Sequence, residues 1–250
     1  EILPVAYLVC NQTPPSNGKP SLMSFDEVQT LFHEFGHGLQ HMLTTVDLPQ
    51  AAGINNVEWD AVELPSQFME NWCFEKNTLL NIAKHWETGE KLSKEDYKKL
   101  CENRKFNCGM ATLRQLHFAI TDLRLHSNNE NYRGKEADQI RREIAKNTTV
   151  LEPIDEDKFL CCFSHIFAGG YSAGYYSYKW AEVLSADAFS MFEEADLENI
   201  NNVRSIGKKF KDTILGLGGS LPPLEIFKLF RGREPRTDSL IKHLGLSSID

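Results

Sequence analysis

The run His33-Glu34-Phe35-Gly36-His37 could form a metal site with a built-in base. On an α-helix, residues four apart lie on one face, so both imidazoles can point toward one ion while Glu34 reaches the same edge. This spacing is typical of a helix that binds zinc and uses its glutamate as a general base for an attacking water. The alternative interpretation is that both histidines are ordinary polar groups on a helix.

The surrounding sequence predicts the helix that such a motif needs. Ser24 and Glu27 have the spacing of a capping box, in which the two side chains satisfy free amide donors at a helix start. Apolar residues then recur at spacings of three and four, as on an amphipathic helix. These residues are Val28, Leu31, Phe32, Phe35, Leu39, Met42 and Leu43. We therefore predict a helix from about Ser24 to Leu43.

A third metal ligand is expected downstream, because a catalytic zinc normally has three protein ligands and one open position. The segment 55–72 offers four carboxylates, Glu58, Asp60, Glu63 and Glu70. Spacing alone does not choose among them. If the segment is helical, Asp60, Glu63 and Glu70 share one face, which suggests one ligand and neighbours that orient it or the histidines. For Glu58 we prefer a solvated acidic face.

A second stretch combines glycines with aromatic hydroxyls. Between Cys161 and Trp180 the chain has three glycines and four tyrosines, a composition typical of a flexible loop that leads into a helix. Peptide hydrolysis develops an oxyanion, and phenol or imidazole donors beside zinc stabilise it. Aromatic packing at a helix start would also explain Tyr176 and Trp180, but it explains the glycines poorly.

Three stretches resemble the thimet oligopeptidase and oligopeptidase A family, with oligopeptidase A as the closer match. H-E-F-G-H-G and the later W-D-A-V-E-L-P-S-Q resemble its zinc-site signature, and H-I-F-A-G-G-Y-S-A-G-Y-Y-S-Y is similar to its substrate-binding loop. The resemblance implies one zinc ion bound by His33, His37 and Glu63, catalysis by Glu34, His165 and Tyr178, and substrate contacts by Gly169, Gly170, Tyr171 and Tyr175. For His165, a role as a plain loop anchor is the alternative.

The resemblance covers Pro4 to about Leu244. It implies that residues 1–250 are the C-terminal, zinc-bearing part of a zincin-like multi-helix catalytic domain, without the long N-terminal helical region of the family. The implied function is that of a metalloendopeptidase that hydrolyses short oligopeptides, with Glu34 as general base. One alternative is a catalytically incompetent, zinc-stabilised peptide-binding fragment. Another is a helical structural protein in which the histidines are incidental.

Periodicity predicts a mainly α fold of about nine helices with a minor β element. The β-branched and aromatic residues of Pro4–Cys10 predict a strand. One helix is expected from Trp59 to Trp86, with a kink or a late start at Pro65. Further helices are predicted at about Ser93–Phe106, Met110–Leu123, Ala181–Glu194, Ile200–Leu215, Pro222–Phe230 and in the stretch that ends near Leu244.

Composition argues against several classes of partner. A formal net charge of −8 disfavours nucleic acid and anionic membrane surfaces, and no apolar run approaches the roughly 20 residues that span a bilayer. Six cysteines without a C-x-x-C pair predict reduced thiols and no cysteine ligand to zinc. We expect a monomer in the cytoplasm, or in a mitochondrion or plastid if an upstream transit peptide was removed.

Overall fold

The computed structural model describes residues 3–128 and 130–246, which form eleven α-helices. The predicted mainly α class is confirmed. The helices are α1 (Phe25–Met42), α2 (Leu64–Trp72), α3 (Lys76–Ile82), α4 (Lys94–Lys105), α5 (Cys108–Leu125), α6 (Ala137–Thr148), α7 (Ser164–Phe167), α8 (Ser177–Glu194), α9 (Ile200–Phe210), α10 (Pro223–Arg231) and α11 (Asp238–Leu244). Two 3₁₀ segments, Glu130–Tyr132 and Phe159–Cys162, and a π-helical segment, Lys211–Leu215, complete them.

The predicted strand at Pro4–Cys10 is wrong, because these residues have no regular secondary structure. A strand needs a partner for its amide and carbonyl groups, and the described residues offer only two isolated β-bridges, Ser16 with Lys19 and Lys84 with Lys91. β-propensity alone therefore did not suffice to form the strand.

The single helix expected from Trp59 to Trp86 is also wrong. Residues 59–63 form turns, α2 begins at Leu64, and α3 follows only at Lys76. Pro65 lies in the first turn of α2, where its missing amide proton breaks no helical hydrogen bond, so the late start is confirmed. Glu75 starts α3, because its carboxylate accepts the amide protons of residues 77 and 78 at 2.9 and 2.6 Å.

The α1 helix begins at the predicted capping box. The Ser24 hydroxyl accepts the Glu27 amide at 3.3 Å, and the Glu27 carboxylate accepts the Ser24 amide at 2.7 Å. Along α1, Gly36 allows a close approach to α2. A Cβ atom at this position would lie 2.5 Å from the Pro65 carbonyl oxygen and 2.5 Å from Ser66 Cα. This close crossing brings the start of α2 against the histidine face of α1.

The main hydrophobic core holds α2 through its central and C-terminal residues. Phe68 of α2 stacks on Phe210 with 4.0 Å between ring centroids, and Trp72 lies edge-on against Phe189 of α8. The buried core residues come from α2, α8, α9, the π-helical segment and α10: Leu64, Phe68, Leu184, Ala188, Phe189, Phe192, Ile206, Phe210, Ile214, Leu215, Ile226, Phe227 and Phe230.

A second buried cluster lies between α5 and the stretch rich in glycine and tyrosine. We call it the loop-support cluster: Phe118, Ala119, Phe163, Ile166 and Tyr175. It packs the region of residues 163–175 against one face of α5. All six cysteines are free thiols, as predicted. Among residues 3–128 and 130–246, no helix combines the length and apolar character needed to cross a bilayer.

Candidate active site

The three predicted metal ligands converge where α1 crosses the start of α2. His33 and His37 lie one turn apart on α1, and Glu63 immediately precedes α2. The Nε2 atoms of both histidines lie 3.2 Å from Glu63 Oε2. The ligand atoms of the three residues are all within 4.8 Å of one another, so they could hold one metal ion.

Glu63 is buried, and both of its carboxylate oxygens have further partners. The Ser66 hydroxyl donates to Oε2 at 2.9 Å, and the Tyr171 hydroxyl donates to Oε1 at 2.8 Å. Burial opposes ionisation, but hydrogen bonds with His33 and His37 outweigh it and hold the pKa of Glu63 well below its usual range. The group is therefore an ionised carboxylate, the form that binds a metal.

Glu70 orients His33 from behind. Its Oε1 lies 2.7 Å from His33 Nδ1, which places a proton on Nδ1 toward Glu70 and leaves Nε2 facing Glu63. Burial disfavours the charged imidazole, but the hydrogen bonds with Glu63 and Glu70 raise the pKa of His33 to about 10. Asp60 does not join this group, because its carboxylate accepts the Tyr176 hydroxyl at 3.2 Å.

Two cavities open beside the converged ligands. One, of about 440 Å³, lies on the Glu34 side, and the half-buried Glu34 side chain lines it together with His33 and Glu70. The other, of about 660 Å³, is lined by His37, Glu63 and neighbouring aromatic residues. The first cavity therefore borders His33, and the second borders His37 and Glu63.

Two aromatic side chains, Trp59 and Tyr171, line the second cavity, and further aromatic rings pack behind them. The Tyr171 ring stacks on Tyr178 with 4.9 Å between centroids and meets Trp59 edge-on at 4.8 Å. The exposed His165 ring lies 6.4 Å from Tyr171 and 6.1 Å from Tyr178. The structure thus brings His165, Tyr171 and Tyr178, three of the predicted catalytic and substrate-binding residues, together in one aromatic group, and Tyr171 joins this group to Glu63.

Residues 169–176, which we call the glycine-rich loop, double back tightly on His165. A Cβ atom at Gly169 would lie 2.9 Å from His165 Cα, and Gly170 has a left-handed φ of 83°. Both positions therefore favour glycine. The backbone at Gly170 lies close to Trp59, whose ring would be 3.5 Å from a Cβ atom added to this glycine.

The environment keeps the site phenols protonated. Burial is the main cause that raises the pKa of Tyr171 well above its usual range, and Tyr178 and the Glu63 carboxylate add to it. Burial likewise raises the pKa of Tyr178. Both hydroxyls are therefore hydrogen-bond donors at neutral pH.

Tyr175, a predicted substrate contact, is buried beneath the other aromatic side chains of the site. It is only 8% exposed, its ring packs between Phe118 and Phe163, and its hydroxyl donates to Gln115 at 3.1 Å. Burial raises its pKa to about 12. The structure places Tyr175 in the loop-support cluster, directly beneath the site: its ring also meets those of His165 at 5.6 Å and Tyr178 at 5.2 Å between centroids.

Comparison with known proteins agrees with the motif geometry. The sequence model of Peptidase family M3 matches residues 2–246. The chain belongs to this family. The family resemblance that the motifs predicted is therefore confirmed.

Several relatives from family M3 are similar over almost the whole chain. Over 98% of this chain, it is 59% identical to the "Organellar oligopeptidase A, chloroplastic/mitochondrial" and 58% identical to the "Probable cytosolic oligopeptidase A", both of Arabidopsis thaliana. The chain is also 51% identical to "Oligopeptidase A" of Escherichia coli, over 97% of its own length. These matches cover 31%, 35% and 35% of the relatives, so the chain spans about a third of their length.

Sequence reasoning missed Asp122 on α5, which contacts the backbone of the glycine-rich loop. Its side chain is fully buried, and its two oxygens accept the amide protons of Ala173 and Tyr175 in the glycine-rich loop, each at 2.9 Å. The available signal was an acidic residue between Ile120 and Leu123, inside the apolar stripe of a predicted helix.

Two arginines that could have bound a substrate carboxylate have structural partners instead. Arg233 Nη2 lies 2.6 Å from Oδ1 of Asp187, which is fully buried on α8, and Arg231 pairs with Asp187 and Glu194. These contacts tie the end of α10 to α8. They explain the two arginines through ion pairs between structural elements.

Proposed function

We propose that this chain carries the metal site and the catalytic groups of a zinc-dependent peptidase that hydrolyses short oligopeptides. The observation that supports it best is the convergence of His33, His37 and Glu63 beside a cavity that Glu34 lines. Two imidazoles and one carboxylate are a donor set of catalytic zinc, and the contact of His33 Nδ1 with Glu70 is the usual support for such a ligand.

When bound there, a zinc ion supplies a Lewis acid that lowers the pKa of water and polarises a peptide carbonyl. Glu34 accepts a proton from the attacking water, whose oxygen bonds to the carbonyl carbon. As the C–N bond breaks, Glu34 delivers this proton to the leaving amine nitrogen. Such acid–base catalysis contributes about a hundredfold to ten-thousandfold in rate.

The phenols and His165 act on the substrate side. Tyr178 and His165 donate hydrogen bonds to the oxyanion that develops on the carbonyl oxygen, and Tyr171 and the backbone at Gly169 and Gly170 contact the substrate. The raised pKa of the Tyr178 phenol supports this assignment, because only a protonated hydroxyl can donate.

The names of the relatives support peptides as substrates and two kinds of location. Three of them are called oligopeptidase A, one of these cytosolic and one organellar. We therefore assign short peptides to this chain and place it in the cytosol or in an organelle. Because the relatives are about three times longer, the chain acts as the metal-bearing part of an M3 catalytic domain. A monomeric state stays a prediction.

Metal analysis and the Glu34→Gln variant test this function. The parent chain should bind one zinc ion and cleave mixed short peptides, with products identified by mass spectrometry. Glu34→Gln should keep zinc and peptide affinity but lose hydrolysis by about a hundredfold or more. Glu95→Gln, an exposed glutamate on α4, is the matched control and should behave as the parent.

Three results would contradict the proposal, each in a different part. If the parent chain binds zinc and peptides but does not cleave them, it is the catalytically incompetent peptide-binding fragment named above as an alternative. A parent chain that binds no zinc would instead support the alternative of a structural helical protein, in which the two histidines have no metal-binding role. Equal cleavage by Glu34→Gln and the parent would refute the role of Glu34 alone.

A further inference from the structure

The glycine-rich loop has a backbone shape that needs external support. Ala173 has a left-handed φ of 56°, a conformation that is unfavourable for a residue with a side chain. The hydrogen bonds within and just before the loop are local: the Ser172 hydroxyl donates to the Ile166 carbonyl at 2.6 Å, the Tyr171 amide to the His165 carbonyl at 3.0 Å and the Gly174 amide to the Tyr171 carbonyl at 2.9 Å. A strained conformation persists only where its surroundings over-determine it.

Asp122 supplies that support from α5. Oδ1 accepts the Ala173 amide and Oδ2 accepts the Tyr175 amide, so one carboxylate holds both sides of Gly174. His126, one turn later on α5, places its Nδ1 atom 2.8 Å from Asp122 Oδ1. Hydrogen bonds to a carboxylate are stronger than those between neutral groups, and the Asp122 carboxylate itself is fully buried.

The same face of α5 provides two further contacts. Gln115 and Phe118 precede Asp122 by seven and four residues, so all three lie on one face of the helix. Gln115 accepts the Tyr175 hydroxyl, and the Phe118 ring meets the Tyr175 ring edge-on at 5.7 Å between centroids. Because α5 carries none of the three converged metal ligands, its contacts act on the loop directly and on the metal site only through the Tyr171–Glu63 hydrogen bond.

We propose that Asp122 is a positioning residue, which holds the glycine-rich loop so that Tyr171 reaches the Glu63 carboxylate and Tyr178 stacks beside it. This inference rests on the proposed peptidase function. Only a short stretch of chain separates the amide that Asp122 binds from the residue that contacts Glu63. The Tyr171 hydroxyl lies 2.8 Å from Glu63 Oε1, two residues along the chain from the Ala173 amide that Asp122 binds.

The Asp122→Asn variant tests the clamp with little change of shape. The amide can accept at one oxygen only, and its NH₂ group must face an amide donor of the loop. We expect kcat/KM to fall by about 10- to 100-fold, because one charge-assisted hydrogen bond is lost and a second contact becomes repulsive. The loss should fall mainly on kcat, and zinc content should stay at one ion per chain.

Asp187→Asn is the matched control. Asp187 is also fully buried, and it also accepts a main-chain amide, that of Arg236 at 2.8 Å, but it lies toward the other end of α8 from Tyr178. It should lower the unfolding temperature and leave kcat/KM within about twofold at 10 °C. An Asp122→Asn variant that is folded, zinc-loaded and as active as the parent would overturn the proposal.

Amide hydrogen exchange provides a second measurement that needs no substrate, and its first part needs only the parent protein. In the parent protein, the amides of Ala173 and Tyr175 should exchange at least a hundredfold more slowly than free amides, and Asp122→Asn should remove most of this protection. Unprotected amides in the folded parent would refute the clamp even if the variant fails to fold. A parent with protected amides but no peptide cleavage would refute the proposed function and leave the clamp standing.

Discussion

The close crossing of α1 and α2 predicts that one added methyl group at Gly36 disrupts the metal site. In Gly36→Ala, the new Cβ atom would lie 2.5 Å from the Pro65 carbonyl oxygen, whereas ordinary contact begins at 3.4 Å. The start of α2 must therefore retreat by about 0.9 Å. Metal–ligand distances tolerate changes of only about 0.2 Å, and Glu63 lies just before this contact.

The magnitudes separate folding from metal binding. An alanine in a helix interior is favoured over glycine by about 1 kcal/mol, whereas overpacking typically costs about 1–3 kcal/mol. The free energy of unfolding of the metal-free protein should therefore fall by no more than about 2 kcal/mol. Zinc affinity should fall by more than about a hundredfold, because even losing the partner behind a ligand costs about 10- to 100-fold.

Gly38→Ala, two residues along the same helix, is the matched control. The nearest atom to its new Cβ would be Leu8 Cδ2 at 3.0 Å, the end of a flexible and 41% exposed side chain that can move. Zinc affinity should be unchanged, and the helix should gain up to about 1 kcal/mol. Zinc titration against a chelating dye and thermal unfolding of the metal-free proteins provide the measurements. Equal zinc affinity in the two variants would refute this reasoning.

Two further predictions concern carboxylates. Glu70→Ala should lower zinc affinity by about 10- to 100-fold, because His33 loses its Nδ1 partner, whereas Asp60→Ala should leave it unchanged in the same titration. Asp187→Asn should lower the free energy of unfolding in urea by about 3–5 kcal/mol at pH 7, because it breaks a buried charge pair with Arg233. Burial opposes the ionisation of Asp187, but the hydrogen bonds from Arg233 hold its pKa below the usual value. The stability it contributes is therefore present above about pH 4 and lost as pH falls further, so the variant should show a flatter pH dependence there, and an unchanged dependence would contradict the assignment.

Local signals allowed α1 and its motif to be predicted from the sequence. The capping bonds join Ser24 and Glu27, which are three residues apart, and the apolar period requires only the helix itself. His33 and His37 are then placed on one face by helix geometry alone. Nothing in this inference depends on distant contacts, which is why the prediction and the structure agree.

The third ligand could not be chosen by spacing, because the choice depends on where α2 begins. A helix through residues 59–72 would have put Asp60 on the same face as Glu63 and Glu70. In the structure the turns at residues 59–63 direct Asp60 to Tyr176, while Glu63 and Glu70, two helical turns apart, both reach His33. Only the family resemblance pointed to Glu63 beforehand.

Asp122 was beyond sequence reasoning because its partners lie about 50 residues later, in a loop with no regular period. A buried aspartate in an apolar helix stripe indicates that some donor must meet it, but not which one. The strand expected at Pro4–Cys10 also depended on a distant partner, which the local sequence does not reveal. Its local propensity was favourable, and no described segment supplied the partner.

Two different sets of packing contacts therefore hold the two parts of the site. The metal ligands depend on the α1–α2 crossing at Gly36, whereas the aromatic donors depend on the α5 face around Asp122. The Tyr171–Glu63 hydrogen bond joins the two parts. Substitutions at Gly36 should consequently act on zinc affinity and those at Asp122 on turnover. Because groups that share no partner contribute independently, their effects on kcat/KM should add in free energy except for the part carried by that one bond.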